Sequence, residues 1–227
     1  MHDSLGCVAL WRDFPAQLAQ ATARVVYAYD RLGFGLSDAS TQPLAHSFVI
    51  TEAEQTFKAV LDYFSIQNFI ILGHSVGGGM SVAIAAAYPE RCQGLISISA
   101  QYAVEALTLA GISEAKVGFQ QAGQMERLEK YHPEKAQWVL DGWTETWLSP
   151  AFQDWNLARV IDGVCCPTLI IHGELDEYVS TGQPQQIFEG VSGQAELHIL
   201  EGLHHMPHKE QPELVVALIA GFHQAHC

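Results

Sequence analysis

Short apolar runs separated by segments of helix length constrain this chain more than any other feature. The runs are ARVVYAYD (Ala23–Asp30), NFIILG (Asn68–Gly73), GLISISA (Gly94–Ala100), PTLIIHG (Pro167–Gly173) and AELHIL (Ala195–Leu200). The first four show no apolar–polar alternation, so they read as strands covered on both faces, as in a parallel sheet. Residues 11–21, 51–64, 76–92 and 212–224 have helical spacing or an alanine-rich helical composition. Thr51 followed by Glu54 reads as a capping box at the start of the second of these. Strand–helix alternation of this kind predicts an α/β fold with a doubly wound, mostly parallel sheet.

Residues 101–157 break the rhythm. They contain no convincing strand, and they hold four of the five tryptophans: Trp138, Trp143, Trp147 and Trp155. The expected organisation is therefore a core of residues 1–100 and 158–227, interrupted by a helical insertion at 101–157.

At 227 residues and 48% hydrophobic, the chain can bury a sizeable core. Its net charge of −14 argues against nucleic acid or an anionic membrane as partner, because both demand clustered Lys and Arg. The five cysteines are odd in number, and Cys165 and Cys166 are adjacent. That pattern suits reduced thiols and a cytoplasmic location better than a secreted disulfide framework. No run reaches eighteen apolar residues, and the N-terminus lacks the basic-then-apolar pattern of a signal peptide, so no membrane segment is expected.

The stretch ILGHSVGGGM (Ile71–Met80) places Ser75 between a predicted strand and a predicted helix, within Gly73-His74-Ser75-Val76-Gly77. A nucleophile elbow needs small residues around a tight turn, so that the serine hydroxyl stands above the sheet. The helix N-terminus behind it favours developing negative charge. A glycine-rich phosphate loop is the bland alternative, but no P-loop lysine follows. A serine nucleophile needs a base, and the base an orienting acid. Two later strand ends offer them: Glu174, Asp176 and Glu177 after PTLIIHG, and His204 and His205 after AELHIL. A metal cluster of His204, His205 and His208 is unpersuasive, since no carboxylate stands at ligand spacing.

These motifs together resemble the α/β-hydrolase family over nearly the whole chain. YDRLGFGLSD (Tyr29–Asp38) resembles its D-x-x-G-x-G-x-S loop, GHSVGG its elbow, IHGELDEYV its acid loop and HHMPHKEQPE its histidine-bearing end. The resemblance selects Asp176 over Glu174 and His205 over His204. It gives the oxyanion hole to the N–H groups of Val76 and of a residue in MHDSLGCVALW, with Ser4 preferred to Leu5; Asp3 stands where the family usually has glycine. It makes residues 101–157 a lid, in which Trp143 and Trp147, four apart, either line an apolar substrate pocket or pack the lid onto the core. The implied activity is serine hydrolysis of a small, fairly apolar carboxylic ester or lactone through an acyl-enzyme, with no metal or organic cofactor. C–C bond hydrolases, cofactor-free haloperoxidases and non-catalytic small-molecule binders share the family.

The resemblance also places about three strands before the His2 loop, and the N-terminal strands of the fold are absent from this chain. One belongs between ARVVYAYD and NFIILG. A vacant central position leaves backbone groups unpaired, each costing about 1–3 kcal/mol when buried. Three expectations follow: residues upstream of Met1 in the gene product, a shortened chain, or direct pairing of the two flanking strands. The first two are favoured.

Overall fold

A computed structural model describes residues 1–227. Four strands, β1 (Phe69–His74), β2 (Cys92–Ile98), β3 (Thr168–Gly173) and β4 (Ala195–Leu200), form one sheet in sequence order, every pair parallel. Ten helices accompany them: α1 (Phe14–Thr22), α2 (Phe48–Thr51), α3 (Thr56–Tyr63), α4 (Val76–Ala87), α5 (Ala106–Gly118), α6 (Gln124–Glu129), α7 (Ala136–Trp147), α8 (Gly182–Gly190), α9 (Pro207–Glu210) and α10 (Pro212–His226).

The two-sided apolar strands divide their side chains by parity. Ile71, Leu95 and Ile170 join Phe57, Leu61, Val82, Ile84 and Ile187 in a core beneath α3, α4 and α8. Ile96, Ile98, Leu169 and Ile171 face the other way, onto Phe14 and Leu18 of α1 and Val215, Ile219 and Phe222 of α10. The result is three layers with helices on both sheet faces. Each fully buried aliphatic side chain contributes about 1.5–3 kcal/mol, so the two interior strands anchor the fold. A third cluster joins Val76 and Met80 of α4 to Phe48, Ile112, Trp147 and Phe152. It packs the insertion between β2 and β3 onto the start of α4. Residues 101–157 hold α5, α6 and α7, and a single antiparallel bridge, Ala103 to Asn156, closes the base.

Two expectations fail. Residues 23–30 form no strand, and the outer edge of β1 does not pair with them. A cavity of about 240 Å³ separates Val25–Tyr29 from the β1 edge, lined mostly by apolar side chains. Direct pairing of the two flanking segments is therefore absent. Only Met1 bonds to that edge: its nitrogen donates to Leu72 O at 2.5 Å, and His74 N–H donates to Met1 O at 3.1 Å. This is the pattern of a parallel bridge opposite Gly73. The second failure is the capping box. The chain is already helical from Phe48, so the Thr51 hydroxyl bonds back to Ser47 O instead of capping, and α3 begins only at Thr56.

Candidate active site

β1 delivers the chain to the elbow. Ser75 has φ 56° and ψ −129°, a left-handed conformation that costs a non-glycine residue about 1–3 kcal/mol. Its surroundings hold it there. Ser75 N–H donates to Ile98 O at 2.9 Å, and Ser75 O accepts from Gly78 N–H at 2.8 Å. The flanking glycines are required by contact. A Cβ on Gly73 would sit 2.0 Å from Gly77 O, and one on Gly77 would sit 2.5 Å from both Met1 O and His2 O.

The loops after β3 and β4 bring two further groups to this point. Ser75 Oγ lies 3.0 Å from His205 Nε2, and His205 Nδ1 lies 2.8 Å from Asp176 Oδ2. All three residues are buried. Asp176 Oδ1 accepts from the Tyr178 and Val179 N–H groups at 2.9 and 3.0 Å, which fixes the carboxylate. Burial opposes its ionisation, but the His205 hydrogen bond and charge, with these N–H donors and His172, hold its carboxyl below the usual range. An ionised Asp176 takes the Nδ1 proton of His205 as a hydrogen bond, which leaves the Nε2 lone pair aimed at the serine. His204 lies elsewhere: it is exposed, and its Nδ1 is 3.2 Å from Glu210. Glu174 is occupied with Gly202 N–H at 3.1 Å.

The N-terminal segment folds against the elbow. His2 is buried, and its Nε2 accepts from Arg31 N–H at 3.2 Å. The Ser4 N–H has no protein acceptor, and Val76, first in α4, has no intrahelical acceptor for its own. Ser4 and Val76 line one narrow cleft together with Phe34, Phe48, Trp143 and Trp147. Trp147 also belongs to the core against Phe152 and Trp155, while Trp143 reaches Tyr178. The 240 Å³ cavity at the β1 edge lies apart from Ser75, Asp176 and His205.

Three further side chains surround the site, of which Gln101 had no place in the sequence reading. Gln101 Nε2 approaches Ser75 Oγ at 3.4 Å. Glu177 accepts from His205 N–H at 3.3 Å. His74 Nε2 lies 2.8 Å from His205 O. For Gln101 a signal existed, since it is a polar residue just past the C-terminal end of a parallel strand, where ligands of such sheets bind.

A family model described as alpha/beta hydrolase fold matches residues 4–132, over half of the chain. The chain belongs to the α/β-hydrolase family. Among curated α/β-hydrolase relatives, the (lyso)-N-acylphosphatidylethanolamine lipase of Bos taurus is 31% identical over 98 residues, covering 43% of this chain and 28% of its own. The 1-acylglycerol-3-phosphate O-acyltransferase ABHD5 of Homo sapiens is 32% identical over 103 residues, again 43% and 28%. The match thus spans less than a third of either relative. Among solved structures, the 2-hydroxy-6-oxo-6-phenylhexa-2,4-dienoate hydrolase of Rhodococcus sp. strain RHA1 superposes with a TM-score of 0.76 at 18% identity, covering 99% of this chain and 89% of that one. No helix is long and apolar enough to cross a membrane.

Proposed function

We propose that this α/β-hydrolase is a serine hydrolase that cleaves a small, fairly apolar carboxylic ester or lactone. The observation that carries the reading is the continuous hydrogen-bonded line from Ser75 Oγ through His205 to Asp176, with distances of 3.0 and 2.8 Å. In this reading His205 Nε2 takes the Ser75 proton as Oγ attacks the substrate carbonyl carbon. The carbonyl oxygen, now negative, accepts from the Val76 and Ser4 N–H groups, and the N-terminus of α4 adds to its stabilisation. His205 returns the proton to the departing alkoxide, leaving an acyl ester on Ser75. Water, deprotonated by His205, attacks that ester and releases the acid. Asp176 orients the imidazole and stabilises its cationic form.

The lining of the cleft supports this substrate class. Phe34, Leu44, Phe48, Trp143 and Trp147 line the cleft beside Ser4 and Val76, and this largely apolar lining, with Arg31 its one charged residue, supports a fairly apolar acyl group. The two curated relatives are named for a lipase and an acyltransferase, and both names describe acyl chemistry. Residues 101–157 act as the lid that walls this cleft.

Labelling with a fluorophosphonate serine probe tests the reading. The parent chain labels and the Ser75→Ala variant does not. A folded parent that resists labelling would refute the activity.

A further inference from the structure

Asp3 occupies a position that is usually glycine in the related pattern, and its carboxylate has two jobs in the structure. Oδ1 accepts from Leu5 N–H at 3.0 Å, closing the turn that presents Ser4. Oδ2 lies 3.4 Å from Nδ1 of His74, whose side chain is fully buried. That Nδ1 has no other polar partner, so the Asp3 side chain is the group that faces it. At the other end of the same ring, Nε2 lies 2.8 Å from the backbone oxygen of His205. The His74 and His205 rings are 4.9 Å apart, centre to centre. The Asp3 carbonyl is held as well, accepting from Gly6 N–H at 3.2 Å and Arg31 Nη2 at 2.9 Å. A single line of contacts therefore runs from the turn around Ser4, through the residue before Ser75, to the backbone of His205.

We propose that Asp3 and His74 are positioning residues, a strut that sets the Ser4 N–H and the His205 imidazole at fixed places relative to Ser75. The proposal rests on the serine-hydrolase reading of the site. Neither residue touches the reacting atoms. The strut's effect is on geometry: misplacing one catalytic element by about 1 Å costs roughly a hundredfold in rate.

The test compares the parent, Asp3→Ala and Asp3→Asn by the kinetics of fluorophosphonate inactivation and by backbone amide exchange. Asparagine keeps the strut, since its oxygen accepts from Leu5 N–H and its amide N–H reaches His74 Nδ1. Asp3→Ala should lower the maximal inactivation rate roughly 10- to 100-fold, leave the half-saturating probe concentration unchanged, and speed exchange at residues 4–6 and 205–206. Asp3→Asn should stay within about threefold of the parent in rate, because both contacts survive. An Asp3→Ala chain that inactivates at the parent rate, or an Asp3→Asn chain as slow as it, overturns the proposal. Unchanged exchange at both segments overturns it too. If Asp3→Ala fails to fold, Asp3→Ser replaces it, since a hydroxyl can cap Leu5 but is too short to reach His74. A folded parent that never labels refutes the hydrolase reading, and the exchange comparison still decides the strut.

Discussion

Gly77→Ala asks whether the N-terminal segment completes the proposed oxyanion hole. Gly77 is the second residue of α4, and its missing Cβ would lie 2.5 Å from His2 O, 2.5 Å from Met1 O and 2.7 Å from the Met1 carbonyl carbon. These are backbone atoms, so no rotamer change relieves them. Ordinary contact begins near 3.4 Å and real contacts essentially end at 3.0 Å, so residues 1–2 must retreat by about 0.5–0.9 Å. The helix itself gains about 0.8–1 kcal/mol from alanine, so the substitution isolates the displacement from any weakening of α4. His2 is tied to Arg31 and to the Asp3 carbonyl, so the retreat carries the turn that holds Ser4. A hydrogen bond lengthened by that much is close to lost. Removing one oxyanion donor costs about 10²–10³ in turnover, or about 2.7–4 kcal/mol. Hydrolysis of 4-nitrophenyl butyrate should therefore fall at least about a hundredfold in a chain whose circular dichroism and thermal midpoint match the parent. A folded Gly77→Ala chain within about threefold of the parent would refute the placement of the second donor in residues 1–5.

Other substitutions read the remaining parts. Ser75→Ala and His205→Ala should each abolish probe labelling, while His204→Ala should label normally because its ring faces Glu210; the opposite result for the two histidines would reassign the base. Asp176 should matter to stability in a pH-dependent way. Its carboxyl is depressed in the folded chain, so it stabilises above the unfolded value near 3.9 and loses that effect as pH falls through the lower folded value. The stability gap between parent and Asp176→Asn in urea titrations should thus be widest at neutral pH and narrow below about pH 4; a gap that grows in acid would contradict the assignment. Trp147→Ala should destabilise by about 3–5 kcal/mol, as a large core residue does. Trp143→Ala, half-buried, should cost far less stability and shift KM across an ester series of rising acyl length; equal losses of stability would assign both rings to packing alone.

Three of the four strands of the sheet were legible because two-sided burial leaves a mark in composition: NFIILG, GLISISA and PTLIIHG have no polar face to expose. ARVVYAYD carries the same mark and is not a strand. Apolar character says that a segment will seek cover. It does not say that a ladder partner lies within about 4.8 Å, and here a cavity intervenes, leaving Val25 76% exposed. Thr51 failed for a related reason. A capping box is a local preference, and it is overridden once an earlier turn of helix, here Phe48–Thr51, is already packed onto α4 through Val49.

The elbow was the most legible part of the site because everything it needs is local: a strand, a residue with positive φ, small neighbours and a helix. The proposed acid and base were legible only in part. Three carboxylates, Glu174, Asp176 and Glu177, follow β3 within four positions, and each finds a partner near the site: Gly202 N–H, His205 Nδ1 and His205 N–H respectively. Which one meets the imidazole is decided by the turn, where Asp176 also accepts two N–H groups from Tyr178 and Val179. The strut was not legible at all. His74 and His205 are separated by 131 positions, and Asp3 reaches His74 only because residues 1–2 lie across the first turn of α4. The same close approach that forbids a side chain at Gly77 brings a carboxylate to the residue before Ser75. Gly77 and Asp3 should therefore be energetically coupled: combining Gly77→Ala with Asp3→Ala should cost less than the sum of the two single losses, because the first has already drawn Asp3 away from His74.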